Sequence, residues 1–223
     1  MTSPTLDLVP VSDAAELLPP GSPAGDWLAA DSQRHACEHA LRVRGDLHRP
    51  ALDLDDPLGA GGALCSLFGA SPGAATRPLL IVVDGDLRVD GAVFSADTDG
   101  ACGLVVLGDA SVSDAVIGGQ LVYVRGALSV RGLLWGDYNH GDLCVQGGVT
   151  AGVALFTDEY HVRIEGGERF DWLIDEVRDD ADRAVPSGEA VGALLRPEFV
   201  DAIADGDGGA SNLITASRSI RFD

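Results

Sequence analysis

The chain has 223 residues, with 35 acidic against 15 basic side chains and a formal net charge of −20, and every basic residue is an arginine. That balance repels phosphate backbones and anionic lipid, so neither nucleic acid nor a membrane is an expected partner, whereas encounter with a basic protein is accelerated. Apolar residues make up 46% of the chain but aromatics only 5%, which predicts one core built from Val, Leu, Ile and Ala.

Residues 1–21 lack a basic start and a long apolar run, so no secretory signal is expected. No apolar stretch reaches the roughly 20 residues that a membrane span needs. Residues 12–18 read as a short helix ended by Pro19-Pro20-Gly21. Residues 31–41 read as a second helix with Asp31 or Ser32 as N-cap. Together, residues 1–40 are expected to form an N-terminal segment and helical cap.

A repeat organises the middle of the chain. Around Gly85, apolar residues fall at −4 and −2 (Ile81, Val83), +2 and +4 (Leu87, Val89), and +7 and +8 (Ala92, Val93). The template recurs on Gly108 (Leu104, Val106, Ala110, Val112, Ala115, Val116), on Gly126 (Val122, Val124, Leu128, Val130, Leu133, Leu134) and on Gly147 (Leu143, Val145, Val149, Ala151, Ala154, Leu155). Weaker copies sit on Gly45 and Gly166, and residues 57–78 read as a loop or irregular coil. Alternation at ±2 and ±4 is the period of half-buried strands. A glycine between two such strands allows a sharp turn, and the odd step from +4 to +7 predicts a second corner. Anchors about 20 residues apart suit a β-solenoid. The expected fold is mainly β, a single-stranded β-solenoid (β-helix) of five to six coils over residues 41–167, with an antiparallel sandwich or barrel as the alternative.

Beyond the repeat, Phe170, Leu173, Ile174 and Val177 are spaced 3, 1 and 3, which predicts a helix over residues 168–183. Two more helices are expected at 187–195 and 197–204, then a loop and a final strand at 214–222. Residues 168–223 are thus expected as a helical C-terminal cap within the same domain. The cysteines at 37, 65, 102 and 144 form no CxxC pattern, so free thiols in a reducing cytoplasm are expected.

The stretch GDYNHG at residues 136–141, followed by DLCVQGGVTAGVALFTDEY, resembles a family of small bacterial β-solenoids described as polymer-forming or bactofilin-like. The ending Leu194-Leu195-Arg196-Pro197-Glu198-Phe199, a Gly/Asp-rich gap and residues 214–222 are similar to that family's ending. The resemblance spans residues 41–223. It implies a non-catalytic protein of the kind found beside secreted toxins, an immunity-type partner. Bactofilins proper carry short tails; the long C-terminal segment here departs from them and argues against self-polymerisation.

Two clusters stand about one coil apart: Trp135, Asp137, Tyr138 and His140 with Asn139, then Asp158, Glu159, Tyr160 and His161. Stacked one rung apart, they would build one aromatic and acidic patch suited to a basic partner. An Asp–His hydrolytic site at Asp137, Tyr138, His140 and His161 is the enzymatic alternative, but no GxSxG, Walker A or dinucleotide glycine pattern accompanies it. His35 and His39 share a helical face without the HExxH arrangement, and Asp84, Asp86, Asp90, Asp97 and Asp99 lack the calcium nonapeptide, so no metal or cofactor is expected. The acidic run Asp175, Glu176, Asp179, Asp180 and Asp182 reads as a solvated face open to a basic partner. The functional expectation is a non-enzymatic binding protein in the cytoplasm that neutralises a basic cognate toxin by occlusion. A bactofilin-like polymer and an enzyme centred on His140 are the alternatives. A homodimer is compatible with each.

Overall fold

The computed structural model describes residues 4–30, 38–58, 64, 78–95 and 101–175. Its elements, in chain order, are β1 (Thr5–Pro10), α1 (Val11–Ala15), α2 (Pro23–Ala30), β2 (His39–Arg44), β3 (Leu47–Arg49), β4 (Leu52–Asp53), β5 (Leu80–Val83), β6 (Leu87–Phe94), β7 (Gly103–Val106), β8 (Ala110–Ile117), β9 (Leu121–Val124), β10 (Leu128–Asp137), β11 (Asp142–Val145), β12 (Val149–Thr157), β13 (His161–Ile164) and β14 (Glu168–Asp175). From β5 onward the chain alternates between two sheets, and each strand pairs in parallel with the one a turn earlier. Sheet A runs β1-β2-β5-β7-β9-β11-β13, and sheet B runs β14-β12-β10-β8-β6-β3, with β4 also on β6. This is a β-solenoid.

The template positions supply its interior. Ile81, Leu104, Val122 and Leu143 line sheet A from within, and Val89, Val112, Val130 and Ala151 answer them from sheet B in one continuous core. The odd step in the template is not a second corner. Each long strand of sheet B runs straight through it, and the register shifts between Val89 and Ala92 and between Val130 and Leu133. The strand bulges there and continues. Buried Asp114 accepts the Leu133 amide at 3.0 Å in this bulge.

The four central anchor glycines answer to stacking and not to turn geometry, whereas the flanking anchor Gly45 takes a left-handed φ of 89°. Gly85, Gly108, Gly126 and Gly147 are absent from the left-handed backbone positions. Each instead lies against the anchor of the turn before, and the Gly108 amide donates to Gly85 O at 3.0 Å, Gly126 to Gly108 at 2.9 Å and Gly147 to Gly126 at 3.0 Å. A Cβ at Gly147 would overlap the Gly126 carbonyl. Beside this column runs a carboxylate ladder. Asp46 Oδ1 accepts the Asp86 amide at 2.9 Å, Asp86 Oδ1 the Asp109 amide at 2.9 Å, and Asp109 Oδ1 the Ala127 amide at 2.8 Å. The corner thus satisfies its backbone donors with the side chain of the preceding turn.

Sheet A is buried on both faces along β5, β7 and β9. Its outer side chains Ala40, Leu80, Val82, Val105, Leu121, Tyr123 and Cys144 form a second core with Val11, Ala14, Leu18, Ala24 and Leu28. The N-terminal helices therefore lie along the flank of the solenoid and do not cap its end. The expected helix over 12–18 is α1, one residue earlier at its start and shorter; α2 and β1 were not expected. His39, Ala40 and Leu41, expected at the end of a helix, begin β2, and residues 31–37 lie outside the described residues.

β1 closes the N-terminal edge of sheet A by pairing antiparallel with β2, from Thr5↔Arg44 to Pro10↔His39. An Arg44–Asp7 pair at 2.6 Å ties the two strands together. At the other end, residues 168–175 are a strand, not the expected helix. β14 pairs with β12 from Val149↔Glu168 to Phe156↔Asp175, so the alternating demands of sheet B override the helical spacing of its apolar residues. Residues 176–223, with the expected helices and final strand, lie outside the described residues. No helix among the described residues is long and apolar enough to cross a membrane.

Candidate functional site

The two sequence clusters come together at one corner. Residues 138–141 join β10 to β11 and residues 158–160 join β12 to β13, one rung apart. The register pairs Asp137 with Thr157 and Asp142 with His161. The two turns are therefore about 4.8 Å apart, the spacing of neighbouring strands.

Backbone strain concentrates here. Among the described residues the non-glycine positions with left-handed φ are Tyr138 (95°), Asp158 (52°) and Glu159 (56°). The Tyr160 amide donates to Thr157 O at 3.2 Å, which closes a turn with both central residues left-handed. That geometry ordinarily selects Asn-Gly. Asp-Glu holds it at a cost of roughly 1–2 kcal/mol per residue. The Gly141 amide likewise donates to Tyr138 O at 2.9 Å. Strain retained at exposed acidic residues is a pointer to function.

The eight expected site residues divide by burial. Asp158, Glu159, His140 and His161 are exposed and Tyr138 is half-buried, so these five form a surface. Tyr138 and His140 meet edge to face at 5.2 Å, and His161 Nδ1 lies 3.4 Å from Asp142 Oδ1. Trp135, Asp137 and Tyr160 are buried and cannot meet a partner directly. They hold the corner. Trp135 Nε1 donates to Thr157 Oγ1 at 2.9 Å, and Thr157 Oγ1 donates to Asp137 Oδ1 at 2.6 Å. The Tyr160 ring packs where side chains at Gly136 and Gly141 would be, and stacks on Phe156 at 6.3 Å. Burial holds the Tyr160 phenol well above its ordinary range, so it stays neutral.

Two residues that the sequence reading passed over belong to this corner. Thr157 stands opposite Asp137 only because the bulge after Val130 shifts the register by one; the anchor spacing of 21 alone would have paired Asp137 with Asp158. Asp142 pairs with His161 in sheet A at the 19-residue spacing of the anchors Gly147 and Gly166. Beyond them, no element among the described residues covers the outer face of sheet A along β13, and a cleft of about 520 Å³ lies between β11, β13 and α2. Its lining includes Cys144, whose thiol is pushed up to about 11, chiefly by burial. A thiol so placed is protonated at neutral pH and is no nucleophile. Among the described residues no group of His, Cys, Asp and Glu is arranged to hold a metal. His35, Cys37, Cys65, Asp97 and Asp99 lie outside the described residues.

What the corner can do chemically is present carboxylates, a phenol and imidazoles on a rigid, strained scaffold. No family model matches the chain, and neither a curated protein nor a solved structure matches it.

Proposed function

We propose that this chain is a non-enzymatic, protein-binding β-solenoid that neutralises a basic cognate toxin by covering its working surface, as an immunity protein in the cytoplasm. One observation carries the reading: among the described residues, the left-handed non-glycine positions Tyr138, Asp158 and Glu159 gather at a single corner and present its exposed aromatic and acidic groups. A net charge of −20 speeds the encounter with a basic surface. In the same reading, five to six coils are completed by the flanking copies at Gly45 and Gly166, and the remainder of the C-terminal segment covers the last of them. No cofactor or nucleic acid takes part.

Two other readings weigh less. A bactofilin-like polymer needs both ends open to stacking, and β1 lies antiparallel across the edge where the next copy would add in parallel. An enzyme around His140 would need Asp137 as a partner acid, but that carboxylate is buried and bonded to Thr157.

The test is co-expression with the product of the adjacent gene and a pull-down at low and high salt. A stoichiometric complex that weakens with salt, and that Asp158→Arg with Glu159→Arg disrupts, supports the reading. No complex at either salt overturns it, and sedimentation over a concentration series then decides whether the chain polymerises.

A further inference from the structure

The cleft beside α2 has the chemistry of a cation receptor. α2 lies over β9, and β11 and β13 extend past it, so their outer side chains form a floor next to the helix. Leu121 and Cys144 give that floor apolar surface, and Trp27 stands on the helix side. Asp26, Asp142 and Asp175 add three carboxylates against one guanidinium, Arg163, and one imidazole, His161, so acidic groups outnumber basic ones in the lining. About 520 Å³ falls within the roughly 300–1,000 Å³ of pockets that enclose a small group. An aromatic face with carboxylates around it suits a flat, delocalised cation: the guanidinium stacks on the indole and donates in parallel to a carboxylate. An ammonium satisfies the charge but not the stacking. The negative lining disfavours phosphate and carboxylate ligands. The cleft is also continuous with the strained corner, because Asp142 follows Gly141 and His161 follows Tyr160.

We propose that this cleft receives an arginine side chain of the basic partner, stacked on Trp27 and paired with Asp142 or Asp26. This rests on the reading of the chain as a binder of a basic protein, and it names the group recognised and where.

The probe is the capped tripeptide acetyl-Gly-Arg-Gly-amide, titrated into the full chain and followed by the backbone amide and indole N–H resonances. Trp27 is assigned with Trp27→Phe. The expected result is a saturable shift of the Trp27 resonance. The analogue with neutral citrulline in place of arginine should bind at least about tenfold more weakly, as loss of a charged hydrogen bond implies. Asp142→Asn should weaken the arginine response. Asp26→Asn, on the exposed side of α2, is a second variant that leaves the sheet untouched. An equal response to citrulline, or an arginine response that neither variant alters, overturns the cleft. So does a response confined to residues 138–140 and 158–159, although it leaves the basic-partner reading standing. If no resonance moves even with hexa-arginine, the cleft and the basic-partner reading fall together.

Discussion

Trp135 donates its indole N–H to Thr157 Oγ1 at 2.9 Å across one rung of sheet B. The hydroxyl then donates to Asp137 Oδ1 at 2.6 Å. One threonine therefore satisfies a buried donor and holds a buried carboxylate, under a corner whose surface residues are strained. Thr157→Val keeps the shape and removes both bonds. The expected loss is about 1–3 kcal/mol, read as a lower urea midpoint with an unchanged slope. An unchanged midpoint would show that the pair does not support the corner.

Gly147 and Gly148 are neighbours with opposite tolerance. A Cβ at Gly147 overlaps the Gly126 carbonyl, whereas at Gly148 the nearest atom, Gly167 O, is at 3.4 Å. Gly147→Ala should cost about 1–3 kcal/mol by overpacking. Gly148→Ala should stay within about 0.5 kcal/mol of the parent. Urea melts of the two variants check this, and equal destabilisation would mean that the column is not set by close approach.

The turn at Asp158 and Glu159 should separate stability from binding. Replacing the pair with Asn-Gly relieves the left-handed strain and should stabilise the fold by about 1 kcal/mol. It also removes both exposed carboxylates, so affinity for the basic partner should fall. Thermal unfolding and the pull-down report the two effects independently. A variant that is more stable and still binds fully would detach the strain from function.

Alkaline pH tests the buried thiol. Cys144 is held from 9.0 up to about 11, chiefly by burial, with the Asp142 charge adding to it. Between those values the native state keeps a proton that the unfolded chain has lost. The contribution is thus complete below pH 9 and disappears as pH rises toward 11. Cys144→Ala should flatten that part of the stability curve relative to the parent. Tyr123 and Tyr160 titrate in both proteins and cancel in the difference except for the smaller part of their upward shifts that the Cys144 charge supplies. Parallel curves would place Cys144 in contact with water.

Much of the solenoid was legible because its period is simple. Val83, Val106, Val124 and Val145 share one offset from their anchors, and all four fall on the interior face of sheet A. The flank was legible too, but in a signal left unused. Runs such as Leu80-Ile81-Val82-Val83 and Leu121-Val122-Tyr123-Val124 do not alternate, and strands buried on both faces read this way. That pattern demands a cover on sheet A, and residues 11–28 provide it. β14 was missed because Phe170 and Leu173 fit a helix locally, and only its pairing with β12 selects a strand. At the site, spacing placed the two clusters at one corner. It could not tell surface from support, since Trp135 and Tyr160 look like interface anchors until Thr157 and Gly141 are found beside them.

A stack of rungs that touch only their neighbours melts as a one-dimensional array, fraying from its ends. The flanking helices alter that. One side-chain cluster joins Val11, Ala14, Ala24 and Leu28 to strands from β2 through β11, so none of those rungs can open without disturbing the same helices. β13 has no residue in that cluster. Amide hydrogen exchange should therefore divide the described strands into a block that opens as a unit and a β13 rung that opens earlier. The corner at residues 158–161 sits on the seam between the two.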